Sequence, residues 1–316
     1  MKSEKSAKRI LNSEVARLVY AGVFLVVVAY FMTIFQQLSD KRWLGSDTKN
    51  PLRDLGFEAF PFLSTYSVAD ALVLSLLGIT LVGLTIASRR IPKIIILWRR
   101  LFWLTGLLYF YRSFTIITTT LPPTKECVPI VANSFREMMV IGTYMIVGVD
   151  KACTDNIYSG HTMILTSCVI MWNVYTRIKW FKIYATLHAL AGLYAIIASR
   201  LHFTVDVLLS LFITYGMYSI YFALVRAAIL ERYQGAIGNV ESERDNRYQS
   251  IAYTPHILNR HLVRVVSWMD GLDLRCEARA NEMVLPTTTT ISQVRVNLIF
   301  DIPNRSFFTC LLIQFS

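Results

Sequence analysis

The sequence predicts an all-α polytopic membrane protein, a bundle of about six transmembrane helices, and three observations support this. Of its 316 residues 54% are hydrophobic and only 17% are charged; soluble domains carry roughly 25% charged residues, so the chain lacks the polar surface of an ordinary globule. Counts of Gly 14 and Pro 9, with 13% aromatic residues, exclude collagen-like and disordered chains. Apolar runs also recur at the length that crosses a ~30 Å hydrocarbon core, which takes about 20 residues of helix.

The runs are 18–35, 68–87, 101–119, 162–175 and slightly beyond, 183–199 and 205–225. The first follows Lys2, Lys5, Lys8 and Arg9. It is longer than the apolar region of a signal peptide and no small-residue cleavage site follows, so a retained anchor is expected. The third contains Arg112. Residues 138–149 are apolar but too short to span; a helix at the far interface or packed into the bundle is expected there, with a re-entrant segment as the alternative. Residues 231–316 read as a polar tail. Its last part, 296–316, is apolar again but broken by Asp301, Pro303 and Arg305, and is not assigned as a span. The chain therefore divides into an N-terminal segment 1–17, a transmembrane catalytic core 18–228 and a C-terminal tail 229–316.

The formal net charge of +11 is explained by where the cations fall. Arg89, Arg90, Lys93, Arg99 and Arg100 lie between the second and third runs, and Arg177, Lys179 and Lys182 between the fourth and fifth. If each run crosses once, both groups share the side of the basic N-terminus. On the opposite side Lys41, Arg42, Lys49 and Arg53 stand beside Asp40, Asp47, Asp54 and Glu58. Cytoplasmic loops are enriched in Lys and Arg, so both termini are expected in the cytosol, and no nucleic-acid partner is needed to explain the charge. The five cysteines contain no CxxC and indicate neither a zinc site nor a disulfide framework. Cys127 and Cys153 share the non-cytosolic side, where a disulfide is permitted; Cys168, Cys276 and Cys310 read as ordinary thiols.

Two histidines carry the chemical signal. His161 opens the fourth run after Ser159 and Gly160, and His202 lies between the fifth and sixth runs. Two consecutive crossings return the chain to the side it left, so both histidines sit at the non-cytosolic ends of their helices. Asp206 follows His202 by four residues, one helical turn away on the same face if the sixth helix begins at His202. There it can hold one imidazole nitrogen and leave the other free for nucleophilic or proton-transfer work. A lone interfacial histidine is more often a polar anchor, and spacing alone leaves both readings open. A metal site needs three or four convergent ligands; His188 falls inside the fifth run, and His256 and His261 in the tail, so no metal is expected. Arg112 is either an arginine that snorkels to the interface or a cation for a lipid phosphodiester. Ser159 is either a helix N-cap or a phosphate donor, and a helix N-terminus favours an anion in both cases.

Cys153, Asp155, Tyr158, Ser159, Gly160, His161 and Thr162, followed by His202, Thr204, Asp206 and Val207, resemble the paired histidine motifs of the lipid phosphate phosphatase and phosphotransferase superfamily, and more closely its sphingomyelin synthase branch. Thr154 stands where that branch usually has Gly, and Phe203 where it usually has Tyr. Pro51, Leu52, Arg53 and Asp54 with Glu58 resemble its first luminal motif; residues 100–122, with Phe102, Gly106, Tyr109, Arg112 and Leu121-Pro122, resemble its second. The resemblance covers roughly residues 50–225.

The resemblance implies transfer of phosphocholine from phosphatidylcholine to the primary hydroxyl of ceramide, giving sphingomyelin and diacylglycerol through a phosphohistidine. His161, His202 and Asp206 would be catalytic, with Arg112, Ser159, Tyr109 and Asp155 at the substrate. Metal and other cofactors would be absent, the partners would be lipids, and a homo-oligomer is compatible. A Golgi or plasma-membrane protein with a luminal or extracellular site is implied. Plain phosphatases of the superfamily carry K-x6-R-P, P-S-G-H and S-R-x5-H-x3-D. Here Lys93 and Arg100 lie on the cytosolic loop and are followed by Leu101, Tyr158 replaces the Pro, and Ile196 stands where the second Arg would be. The transferase reading is therefore preferred over a phosphatase and over a catalytically silent lipid-binding scaffold. No motif marks the headgroup as choline, ethanolamine or inositol.

Overall fold

The computed structural model describes residues 2–44, 52–65, 67–88, 91–124, 127–155, 157–236 and 257–272. Asp47, Lys49, Pro51, Arg89, Arg90, His256, Cys276, Cys310 and the stretch 296–316 lie outside the described residues. Every regular element among those described is helical: α1 Lys2–Leu44, α2 Leu55–Ala59, α3 Ser67–Ser88, α4 Ile91–Thr118, α5 Phe135–Val147, α6 Gly160–Tyr175, α7 Lys179–Ala198, α8 Thr204–Ala236 and α9 Ile257–Met269. They form two compact units. One comprises Ala21–Ile94 and Leu101–Met217, the other Met1–Tyr20, Ile95–Arg100 and Tyr218–Ser316.

Five helices are long and apolar enough to cross a membrane: Asn12–Leu44, Ser67–Ser88, Ile91–Thr118, Lys179–Ala198 and Thr204–Ala228. Val26, Leu74, Val82, Leu187 and Phe212 point outward from them and are exposed, as befits helices solvated by lipid. The sixth expected span, α6, is only 16 residues, or ~24 Å at 1.5 Å per residue. It is nevertheless the inner helix of the larger unit, packed against α3 and α7 with eight of its residues buried. A helix enclosed by protein does not have to match the bilayer thickness on its own.

Close approach explains how α6 is held. Without a hydrophobic driving force between helices in lipid, small residues at interfaces let backbones come near. A Cβ at Gly192 of α7 would stand 2.7 Å from Leu165 Cδ1, and one at Gly83 of α3 would stand 2.9 Å from the Trp172 ring. The Trp172 indole N–H donates to Thr80 Oγ1 at 2.9 Å, so its polar edge is satisfied in the same interface. Gly192→Leu is expected to wedge α6 from α7, an overpacking that costs roughly 1–3 kcal/mol, read as a lower melting temperature in detergent.

Residues 135–147 form α5, a helix packed along α1. Its start is fixed by Ser134, whose hydroxyl accepts the Glu137 N–H, while Glu137 accepts the Asn133 N–H at 2.8 Å. Gly148 ends it at φ +80, a left-handed conformation that glycine adopts without the Cβ penalty. Gln37 Nε2 donates to the Met138 carbonyl at 3.0 Å, and Tyr30 and Thr143 share a hydrogen bond at 3.1 Å. The connection that follows is cross-linked by a Cys127–Cys153 disulfide with a Cα separation of 5.7 Å. The bridge spans 26 residues, and loop-closure entropy gives such a cross-link about 3 kcal/mol. Reductant should lower the melting temperature of the wild-type protein and leave the Cys127→Ser, Cys153→Ser double variant unchanged.

In the second unit α9 is anchored by buried charge. Asp270 accepts Arg100 Nε at 2.5 Å and Nη2 at 2.7 Å, and the Tyr221 hydroxyl at 3.1 Å. Arg99 pairs with Glu14 and donates to the Asp270 carbonyl. The cations assigned from the sequence to a basic loop thus include two that are consumed internally, at 0 and 4% exposure.

Candidate active site

Three chain segments in the larger unit converge on His161 and His202. The first is the loop 153–160 ahead of α6. Asp40, near the end of α1, accepts the N–H groups of Cys153 and Thr154 and the Thr154 hydroxyl at 2.6 to 3.1 Å. Ser159 Oγ accepts the Thr162 N–H at 3.3 Å, capping α6, and its carbonyl accepts from the Ser210 hydroxyl. Between these anchors Tyr158 is held at φ +63, a strained conformation for a bulky residue, which costs of order 1–3 kcal/mol and persists only where the surroundings enforce it. Its side chain is buried, and that burial pushes the phenol pKa up.

Arg112 of α4 supplies that enforcement. Its Nε donates to the Tyr158 carbonyl at 2.7 Å and its Nη2 pairs with Asp155 at 2.6 Å. Asp155 also accepts Gln36 Nε2 at 2.7 Å. A Cβ at position 160 would stand 3.3 Å from the guanidinium carbon, so Gly160 lets the arginine lie flat beneath the first turn of α6. Arg112 is 3% exposed and occupied by the loop it supports. Tyr109, one turn earlier on α4, lies in electrostatic range of Arg112 and Asp155.

The second segment is the turn 199–206 that carries His202. Arg200 adopts φ +55, so each histidine is preceded within three residues by a left-handed non-glycine residue. Asp206 Oδ2 accepts the Phe203 N–H at 3.1 Å, and the Asp206 carbonyl accepts the Ser159 N–H at 3.4 Å. The acid therefore braces the His202 turn and ties it to the Ser-Gly-His loop. The third segment, 53–59, explains the Arg53-Asp54 motif. Asp54 caps α2 through the Gly56 and Phe57 N–H groups and also accepts the Thr204 N–H and hydroxyl at 2.8 and 2.6 Å. Phe57 stacks on Phe203 with centroids 5.6 Å apart. The Arg53–Glu58 pair is exposed and worth little by itself.

With these supports, His161 Nδ1 and His202 Nε2 face each other at 3.4 Å. His161 Nε2 bonds Asp70 Oδ1 at 2.9 Å, and Asp70 Oδ2 pairs with Lys151 at 2.9 Å. His161 is partly exposed and His202 is buried. Asp70 is a residue of this candidate site that sequence reasoning did not single out. An acid in the first turn of an apolar span is itself a signal, but 91 residues separate it from His161 and no local spacing connects them. No set of three or more His, Cys, Asp and Glu side chains among the described residues is arranged to hold a metal.

Two facing imidazoles, one held by a carboxylate at its far nitrogen, in a bundle of helices long and apolar enough to cross a membrane, define a polytopic membrane protein with a paired-histidine site. Residues 152–223 match the PAP2 superfamily C-terminal family. Human phosphatidylcholine:ceramide cholinephosphotransferase 1 is 28% identical over 224 residues, covering 66% of this chain and 53% of that protein. Mouse phosphatidylcholine:ceramide cholinephosphotransferase 2 is 30% identical over 210 residues, 62% of this chain and 55% of its own. Phosphatidylethanolamine:ceramide ethanolaminephosphotransferase of Trypanosoma brucei brucei is 30% identical over 238 residues, 61% of this chain and 72% of its own. The chain spans about half the length of the cholinephosphotransferases it matches. It belongs to the sphingomyelin synthase branch of the PAP2 superfamily.

Proposed function

We propose that this chain is a ceramide phosphotransferase that moves phosphocholine from phosphatidylcholine to the primary hydroxyl of ceramide. The observation that carries the reading is the pair of histidines 3.4 Å apart in a chain of this family. His202 Nε2 attacks phosphorus, forming an N–P bond as the P–O bond to diacylglycerol breaks. His161 gives its Nδ1 proton to the departing oxygen. Ceramide then gives its hydroxyl proton to His161 Nδ1, its oxygen attacks phosphorus, and the N–P bond breaks to release sphingomyelin and restore His202.

Asp70 fits the role of a positioning residue in this scheme. Bonded to Nε2, it fixes the proton there and leaves Nδ1 as the exchanging atom, and it stabilises the imidazolium formed in the second half. Asp206 braces the turn and serves as the orienting anion for His202. Asp70→Asn is expected to lower kcat about 10²–10³-fold, within the range of general acid–base assistance, with little change in KM for ceramide. Asp70→Glu should recover part of the loss. An unchanged kcat in Asp70→Asn would remove this carboxylate from the mechanism.

Phosphoethanolamine is the second reading for the headgroup, favoured by the trypanosomal ethanolaminephosphotransferase, of which the chain covers 72%. The site lies at the non-cytosolic ends of α6 and α8 in the orientation that the cations favour, which suits the lumen of the Golgi or the outer face of the plasma membrane. The test is incubation of the purified protein with labelled ceramide and each donor lipid separately, followed by product chromatography. Ceramide-dependent sphingomyelin from phosphatidylcholine supports the reading. A product only from phosphatidylethanolamine supports the second. Free phosphate from phosphatidic acid, with no ceramide product from any donor, would make the chain a phosphatase.

A further inference from the structure

Helix α9 carries more apolar surface than its own unit covers. Val263, Val266 and Met269 are buried, as are Ser267 and Asp270 beside them. Leu262, Val265 and Trp268 recur every third residue on the adjoining arc of the helix, and are 42, 52 and 44% exposed. Arg264, also exposed, lies at the edge of this arc beside Trp268, while His261, exposed as well, falls within it between Trp268 and Val265. The helix thus has a packed face and an exposed, largely apolar arc with Arg264 at its rim.

Two observations identify what covers the exposed face. It is continuous with a surface that already lies in a membrane span. Tyr20 of α1 lies 6.4 Å from Trp268, centroid to centroid, and Val15, Val19 and Tyr20 are exposed on the same stretch of α1, inside the candidate span Asn12–Leu44. The helix is also fixed in place by charge. Arg17 donates to the Trp268 carbonyl at 3.0 Å and its guanidinium lies 5.9 Å from the indole centroid, while Arg100 grips Asp270. An aromatic pair at a span's end with basic residues alongside is the composition of a membrane–water interface.

We propose that α9 is an interfacial helix seated on the leaflet at this end of the protein. Leu262, Val265 and Trp268 enter the boundary between acyl chains and headgroups, and Arg264 meets anionic headgroups. In the orientation proposed above this is the cytosolic leaflet, whose anionic lipids attract basic side chains. The Asp270 clamp holds α9 at the membrane surface, with the apolar arc rolled toward lipid.

The test uses the full chain in nanodiscs of phosphatidylcholine and phosphatidylserine, with Cys168, Cys276 and Cys310 changed to Ser and the Cys127–Cys153 bridge kept. A nitroxide is attached in turn at Leu262→Cys, Val265→Cys, Arg264→Cys and, as a lipid-facing control, Val26→Cys. The expected result is an oxygen-to-nickel-chelate accessibility ratio at 262 and 265 several-fold above that at 264 and close to that at 26. Equal, water-like values at 262, 264 and 265 would overturn the proposal. So would inaccessibility to both reagents at 265, which means another segment of the chain covers it, or spin–spin broadening at 265, which means a second copy does. These readouts do not depend on transferase activity, so a failure here is separable from a failure of the functional reading.

Discussion

His202→Ala is expected to lose headgroup transfer by ~10⁴-fold or more, together with any phosphoenzyme trapped by an alkaline denaturing quench, which leaves an N–P bond intact, after brief exposure to labelled donor. His202 is buried and its Nε2 faces His161 across 3.4 Å, and the scheme uses His161 as the proton carrier rather than as the nucleophile. His161→Ala separates the two roles. It removes the proton carrier but keeps the nucleophile, so trapped phosphoenzyme should persist, formed slowly, while transfer to ceramide falls. Near wild-type turnover in His202→Ala would sink the covalent scheme outright.

Arg112→Ala is expected to unfold the site rather than merely weaken substrate binding. The substitution removes the partner of Asp155 and the donor to the Tyr158 carbonyl, both lodged where the loop 153–160 is otherwise strained. Breaking a buried pair on one side costs about 3–5 kcal/mol. The melting temperature in detergent should drop together with activity. Arg112→Lys should recover stability only in part, because an ammonium cannot make both forked contacts. The resemblance assigned Arg112 to the substrate. A variant with normal thermal stability and an isolated loss of donor affinity would return it to that role.

The sequence by itself determined the class and most of the framework. Bilayer thickness is a length requirement that a run of apolar residues meets or fails regardless of its neighbours, so five spans and the inner helix could be read from the residues. Their limits came within a turn or so at Ser67, Thr118 and Ala198 but not at Lys2, Leu44 or Ala236, where the helices extend past the apolar stretch; toward Leu44 the added turns are held by polar contacts such as Asp40 on the 153–154 backbone. Cys127 and Cys153 were legible as a permitted pair; the spacing of His202 and Asp206 put them one turn apart on a helix starting at His202, whereas the helix starts at Thr204 and the Asp206 carboxylate accepts the Phe203 N–H.

Only the tertiary structure decided what meets across distance. Asp70 on His161, Asp54 on Thr204, Arg112 on Asp155 and Arg100 on Asp270 are separated by 91, 150, 43 and 170 residues. Each pairs charged or polar groups that a helix periodicity cannot relate to one another. A hydrophobic run specifies its environment through its own composition. A buried ion or hydrogen-bonded acid specifies its partner only through the approach of two separate segments, and that approach exists only once those segments have come together in the fold.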